Sequence, residues 1–407
     1  MQHLKGTPMK KSERLLRDKA NQLVLPTQED FQFDLAARCR QAVQRTLQVA
    51  LDEELERLVG AGPYQRTDQR VDVRNGAYDR RIVTTTGEVG VRVGRTRAGG
   101  GATEPLGRYR RRRPEIDDAI TETYVRGAST RDIAPITQVL LGKRVSRSTV
   151  SRVTHRLEDE VEALRKAPIT EPITYLYLDA TFVDARWART VENVSALVAY
   201  GVGPDGHRHL LAVHVGTQES EASWAGLLAE LVERGLSGVR LVIADAHAGL
   251  RLAVRKALPE AREQRCTVHL MRNVLANVPT RHRKRIGHEL VAVLHAPSLV
   301  EAKTALRGFR DRFAGQFAEA VTCLESGFAA ATQYFAFPDD HWLRIRSNNG
   351  LERLNREIKR RTRAVGAFPD RASALRLITA VALQAVAVWR HRIYLDMHLL
   401  TTHAAAA

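Results

Sequence analysis

Ile173-Thr-Tyr-Leu-Tyr-Leu-Asp179-Ala-Thr-Phe-Val183 is a run of aromatic and branched residues with one carboxylate, Asp179, set inside it. That composition predicts a strand. An ionised Asp within an apolar strand is costly to bury unless a cation or a firm partner holds it. Asp179 is therefore a candidate functional residue. Residues 194–200 and 209–215 predict two further strands, and Gly203-Pro-Asp-Gly between them is a turn that makes them a hairpin. Residues 219–234 read as an amphipathic helix closed by Gly235. Residues 239–244 predict a fourth strand that runs straight into Asp245, residues 249–258 a helix stopped by Pro259, and residues 264–268 a short fifth strand.

From Arg272 to about residue 336 the pattern is helical throughout, with the basic patch Arg281-His-Arg-Lys-Arg, and the segments from Gly350 onward are helical again. Three strands in a meander, followed by alternating strand and helix, predict a mixed α/β sheet with helices on its faces. The ribonuclease H-like fold has that order. Asp245 falls at the carboxyl end of its strand, where open α/β sheets place their sites. If the first and fourth strands are neighbours, Asp179 and Asp245 face one another, and a divalent cation relieves their repulsion. Oxygen-only ligands suit magnesium.

A third acid, Glu352, lies in Asn349-Gly-Leu-Glu-Arg-Leu-Asn. Over residues 350–362, Leu351, Leu354 and Ile358 form the inward stripe, while Glu352, Asn355 and Lys359 follow one another along a second face at steps of three and four. A carboxylate, an amide and a lysine on one edge can hold metal and phosphate together. The competing reading makes Asn349 the N-cap and Glu352 the N3 acid of a capping box.

The chain has 407 residues, 44% of them hydrophobic, which predicts two or three domains with packed cores and excludes global disorder. It carries 63 Lys+Arg against 46 Asp+Glu, a formal net charge of +17, and a sequence pI near 10.3. A polyanion is the expected partner, nucleic acid being the commonest; a basic protein with no such partner is the bland alternative. The longest apolar run, 377–389, is shorter than the roughly 20 residues of a membrane span. It contains Thr379 and Gln384, so it reads as a buried helix and no membrane association is expected. No apolar signal core opens the chain, and Cys39, Cys266 and Cys323 are too few and too scattered for a disulfide framework, so a cytoplasmic compartment is expected.

Ahead of the sheet region, residues 28–60 predict a helix with Leu47, Leu51, Leu55 and Leu58 on one stripe, and residues 81–93 a short β-like stretch. Residues 108–113 hold five arginines in six positions, among them Arg110, Arg111 and Arg112; such runs are usually solvated, but here they could contact phosphate. Ser129 with Asp132 three residues on predicts a helix start. The segment beginning at Ser146 predicts a helix with Val150, Val153 and Leu157 inward and Arg147, Ser148, Thr149 and Arg152 outward. Small hydroxyls and arginines are what a helix-turn-helix recognition helix needs to reach base edges and phosphates. An ordinary amphipathic helix is the alternative. The expected domains are 1–65 helical, 66–113 small and basic with β-structure, 114–168 helix-turn-helix-like, and 169–407 catalytic with a helical insertion at about 272–345.

These stretches resemble the Mutator-type DDE transposases of bacterial insertion sequences. The resemblance runs from about Tyr64 to about Trp389. It is carried by Tyr64-Gln-Arg with Arg74-Asn-Gly, Gly127-Ala-Ser-Thr-Arg, Val145-Ser-Arg-Ser-Thr-Val-Ser-Arg and Tyr177-Leu-Asp-Ala. Further on come Gly203-Pro-Asp-Gly-His-Arg, Glu219-Ser-Glu with Trp224, Arg234-Gly-Leu, and Ile243-Ala-Asp-Ala-His-Ala-Gly-Leu. Gln264-Arg-Cys-Thr-Val-His-Leu-Met-Arg-Asn and Asn349-Gly-Leu-Glu-Arg-Leu-Asn-Arg-Glu-Ile-Lys-Arg-Arg complete the series. The resemblance implies that Asp179, Asp245 and Glu352 are the catalytic, metal-holding triad of a ribonuclease H-like domain with a helical insertion before the Glu-bearing helix. It implies that Cys266 and His269 are a Cys-x-x-His element beside the active site, which Asn355 and Lys359 are expected to support from the helix face they share with Glu352. A zinc site and a plain buried thiol are the other readings of Cys266. The implied function is binding of terminal inverted repeats, then strand cleavage and transfer using two Mg2+ ions, or Mn2+. The implied partners are double-stranded DNA, as repeat and target, and a second copy in a homodimer. A transposase-derived non-catalytic DNA-binding regulator and a ribonuclease H-like nuclease or resolvase are the rival readings.

Overall fold

The computed structural model describes residues 28–99, 101, 106, 112–187, 190–389 and 391–401. Arg110 and Arg111 lie outside them. The chain divides into two compact units: Met1–Ala119 with Ala134–Ser146, and Ile120–Ile133 with Arg147–Ala407.

In the first unit, helix α1 (Gln28–Val59) lies on an antiparallel hairpin of β1 (Arg74–Thr84) and β2 (Gly87–Thr96), paired in the register Ile82↔Val89. Leu47, Leu51 and Leu55 pack with Val89, Val91 and Val93 as the stripe requires. Leu58 does not: it is 41% exposed, and Val59, four residues after Leu55, closes the core instead. Gly94 makes the close approach possible, because a Cβ there would meet Leu55 Cδ2 at 2.3 Å.

Helix α2 (Pro114–Val125) runs across the division between units, and α3 (Ile133–Leu141) belongs almost wholly to the first. The expected capping box is present: Ser129 Oγ accepts from Asp132 N–H at 3.3 Å, while the Asp132 carboxylate accepts from Ser129 N–H at 3.0 Å. Helix α4 (Arg147–Thr154) buries Val150 and Val153. It stops at a turn, so Leu157 opens a separate helix, α5 (Leu157–Lys166), rather than extending the same stripe.

The second unit is built on a five-stranded mixed sheet in the order β5-β4-β3-β6-β7. The strands β3 (Tyr175–Trp187), β4 (Thr190–Val202) and β5 (Arg208–Gly216) form the antiparallel meander. After α6 (Glu221–Glu233), β6 (Leu241–Ala244) returns parallel to β3, and after α7 (Ala248–Ala257), β7 (Arg262–Arg265) adds parallel to β6. Alternation along β3 divides the two faces. Leu176 and Leu178 point into a core with Trp224, Leu227, Leu228 and Leu231 of α6 and Leu250 and Val254 of α7. Tyr175 and Tyr177 point the other way, where Tyr175 Oη bonds His341 Nδ1 at 2.8 Å and Tyr177 stacks on Tyr200.

The fifth strand ends three residues earlier than the sequence predicts. The chain leaves the sheet after Arg265, and Thr267 already opens α8 (Thr267–Ala276). Helices α8, α9 (Arg283–Leu294), α10 (Leu299–Phe313) and α11 (Ala318–Ala331) share their own core, including Leu270, Ile286, Leu290, Phe309, Leu324 and Phe328. This helical block is tied to the sheet edge by the buried Gln264, whose amide donates to Ala331 O at 2.8 Å and accepts from Tyr334 N–H at 2.9 Å. Helix α12 (Asp339–Ile345) leads to α13 (Asn349–Val365) and α14 (Arg371–Trp389). By length and composition α14 could cross a membrane, but half of its apolar stretch is buried, and it packs on β5, β3 and α5.

Candidate active site

The parallel pairing of β3 with β6 leads towards both Asp179 and Asp245. The parallel register is Tyr175↔Leu241, Leu176↔Val242 and Tyr177↔Ile243. Asp179 lies two residues beyond the last β3 residue of that register and Asp245 immediately after β6, close enough for the Asp245 charge to act on the Asp179 carboxyl. Asp245 Oδ1 accepts from the N–H of Ala246 at 2.6 Å as the chain turns away.

Glu352 comes from α13, and the start of that helix is fixed by two residues. Asn348 is fully buried; its Nδ2 donates to Leu178 O at 2.9 Å, one residue before Asp179, and its N–H donates to Cys266 Sγ at 3.3 Å. Cys266 N–H in turn donates to Ala244 O, one residue before Asp245, at 2.8 Å, and Thr267 N–H to Arg346 O at 3.0 Å. The same two residues thus reach the backbone beside all three acids. One turn along α13, Asn355 Nδ2 donates to Asp179 Oδ2 at 2.8 Å. Gly350 lets the helix begin over β4, since a Cβ there would lie 2.5 Å from Tyr200 Oη.

The capping-box reading of Glu352 is corrected. Asn348, not Asn349, occupies the N-cap position, and its side chain makes no cap bond because it is spent on Leu178. Glu352 is then one position beyond N3. Its carboxylate faces Arg272 of α8, whose Nη1 and Nη2 donate to Oε1 and Oε2 at 3.0 and 3.2 Å, and His269 Nε2 lies 3.6 Å from Oε1.

Burial raises the Asp179 carboxyl from 3.8 to about 7, and the charges of Glu352, Asp245 and Glu219 add to the rise. Glu219 is an acid that sequence reasoning gave no role. It precedes α6, accepts from Trp224 Nε1 at 3.1 Å and lies 3.6 Å from His247 Nδ1. Burial pushes the Cys266 thiol up to about 11, which suits its place as a buried acceptor.

Among the described residues no group of three or more His, Cys, Asp or Glu side chains is spaced to hold one metal ion. The donor chemistry nevertheless suits a hard divalent cation: one aspartate on β3 and one just after the neighbouring β6, the first of them loaded by burial and like charge. Glu352 is the member engaged elsewhere, by Arg272.

Other predicted residues fall as follows. Lys359 is exposed one turn beyond Asn355. Arg147, Ser148 and Arg152 are exposed on α4 and Thr149 is half-buried. Arg112 is 14% exposed and paired with Asp117 at 2.7 Å. Sequence reasoning missed Asn348, Arg272 and Glu219. The spacing of His269 and Arg272, three residues apart on a helix, was the available signal for Arg272.

The sequence pattern of the family described as "Transposase, Mutator family" matches residues 17–391. The chain is 35% identical over 365 residues to the transposase for insertion sequence element ISRM5 of Rhizobium meliloti, covering 89% of this chain and 92% of that one. It is 33% identical over 342 residues to the transposase for insertion sequence element IS256 in transposon Tn4001 of Staphylococcus aureus, covering 83% and 87%. Among solved structures, a Drosophila P element transposase strand transfer complex aligns over 70% of this chain and 83% of its own at 11% identity, with a TM-score of 0.31, a value that carries no argument about the fold.

Proposed function

Because the chain belongs to the Mutator family of transposases, we propose that it binds the terminal inverted repeats of its own insertion sequence and cleaves and transfers their strands. In this reading the mixed sheet with its helical block is a ribonuclease H-like catalytic domain, and Asp179, Asp245 and Glu352 are its DDE triad. The observation that carries it is the joint anchoring of the three acids. Asp179 lies on β3, Asp245 directly follows the neighbouring β6, and the helix of the third is tied by Asn348 and Cys266 to the residue before each.

Each chemical step is an in-line displacement at phosphorus. In cleavage, a water oxygen bonds to the phosphorus at the element end and the 3′ oxygen leaves as a hydroxyl. In transfer, that 3′ hydroxyl attacks a phosphodiester of target DNA. Divalent cations, magnesium or manganese, held by the three carboxylates would lower the pKa of the attacking hydroxyl and neutralise charge on the phosphate. The chain's own residues set the geometry. Asn355 orients the Asp179 carboxylate through its 2.8 Å bond, and Lys359 presents a cation to the backbone of the bound strand. The exposed face of α4, with Arg147, Ser148, Thr149 and Arg152, reads the repeat from the major groove. Holding two element ends calls for a homodimer, and the setting is the cytoplasmic nucleoid.

A direct test mixes the purified protein, a labelled duplex ending in the element's repeat, and a plasmid target. With Mg2+ the label joins the plasmid; with a chelator it does not. Specific repeat binding with no cleavage under either Mg2+ or Mn2+ would favour the regulator reading. Cleavage indifferent to the repeat sequence would favour a nuclease.

A further inference from the structure

We infer that Arg272 holds the Glu352 carboxylate until a divalent cation takes it, and that the released guanidinium then binds a DNA phosphate. The inference deepens the metal-dependent reading above and rests on it.

Arg272 sits on the second turn of α8, whose first turn is fixed by Thr267 N–H on Arg346 O. Its guanidinium meets Glu352 fork to fork, one N–H on each carboxylate oxygen. The Arg272 side chain is 59% exposed and that of Glu352 19%, so the arginine lies on the solvent side and covers the acid. His269 Nε2, at 3.6 Å, is the other group facing Oε1. With both oxygens engaged by a cation, Glu352 is not offered to a metal. Among the described residues neither Asp179 nor Asp245 has such an ion pair; Asp179 accepts from the neutral amide of Asn355 at 2.8 Å and from the backbone N–H of Ala180.

The exchange is inexpensive in free energy. An ion pair open to solvent on one side is weak, and a divalent cation shared with two further carboxylates outcompetes it. The released guanidinium is not stranded, because it is already at the surface beside the acids. Its planar fork matches a phosphate as well as a carboxylate. Metal and DNA would therefore support each other's binding: the cation frees the arginine, and the phosphate keeps it from returning.

The test uses the full-length protein and Mn2+ as probe, with free Mn2+ followed by electron paramagnetic resonance. Arg272→Ala should bind Mn2+ about 3- to 10-fold tighter than wild type in the absence of DNA, the size expected from removing one weak competitor. Arg353→Ala removes the same charge from the residue next to Glu352 and should change the affinity less than twofold. In repeat-duplex binding, Arg272→Ala should lower the salt dependence by about one phosphate contact when Mn2+ is present and leave it unchanged in chelator. Arg272→Gln keeps the length of the side chain and is measured alongside, so that misfolding of one variant does not decide the outcome. Equal or weaker Mn2+ binding by both Arg272 variants overturns the inference, as does an equal gain in Arg353→Ala or a salt dependence that Mn2+ does not alter. Asp245→Asn separates the two levels. If it leaves Mn2+ binding intact, the metal reading fails and the inference with it. If it abolishes binding while the Arg272 variants match wild type, only the inference fails.

Discussion

The side-chain amide of Asn348 donates to the carbonyl of Leu178 at 2.9 Å, joining the residue ahead of α13 to the residue ahead of Asp179. Helix α13 is thereby placed by a buried side chain rather than capped by an exposed one. Asn348→Ala leaves the Leu178 carbonyl without this partner and should cost about 1–3 kcal/mol in thermal or urea unfolding. Asn349→Ala, at an exposed position, should stay within about 0.5 kcal/mol. Equal effects would return the cap to Asn349.

Glu352→Gln tests the third acid. The substitution loses an ion pair worth about 1 kcal/mol or less, since Arg272 is largely exposed. Folding and repeat binding should persist, while strand transfer falls by orders of magnitude. An active variant in a magnesium-dependent transfer assay would remove Glu352 from the catalytic set.

Asp179 gives a stability prediction with a definite sign. Its folded pKa, about 7, lies above the unfolded 3.8. Between those values the folded state binds more protons, so metal-free stability falls as pH rises through the window and recovers as pH drops towards 4. Asp179→Asn removes the ionisable group, and the amide oxygen can still accept from Asn355. The metal-free variant should be more stable than wild type by about 1 kcal/mol or more at pH 8 and about equal to it near pH 4. A variant less stable at pH 8 would show that Asp179 is structural.

On DNA, Arg147→Ala and Arg152→Ala should weaken binding to the cognate repeat by about 1–3 kcal/mol and binding to random duplex by less. A uniform loss would reassign them to phosphate contact. Arg112→Ala should lower stability through the loss of Asp117 and leave the salt dependence of DNA binding unchanged.

The strand and helix order was legible because each sheet element carries its own signal: apolar runs broken by Gly203-Pro-Asp-Gly, Gly235 and Pro259. The two aspartates were legible for the same reason, since a charge inside or at the end of such a run is conspicuous. The family was readable from the ordered motifs. What periodicity could not supply was long-range pairing. Asn348 reaches across 170 residues to Leu178 and Arg272 across 80 to Glu352, and no local pattern encodes either contact. The end of β7 was misplaced because Cys266-Thr-Val reads as strand by propensity, while Thr267 is recruited into α8 by its bond to Arg346. The separation of α4 from α5 was hidden because Val150, Val153 and Leu157 fit one helical stripe whether or not a turn intervenes.

The central claim is that Asp179, Asp245 and Glu352 act as one centre, and Asp245→Asn tests it most directly. Single-turnover cleavage of a labelled repeat end in Mg2+ should fall by a factor of about 1,000 or more, while the same protein shifts the repeat duplex at wild-type concentration. Cleavage within about tenfold of wild type, or a loss of repeat binding that parallels the loss of cleavage, would contradict the account.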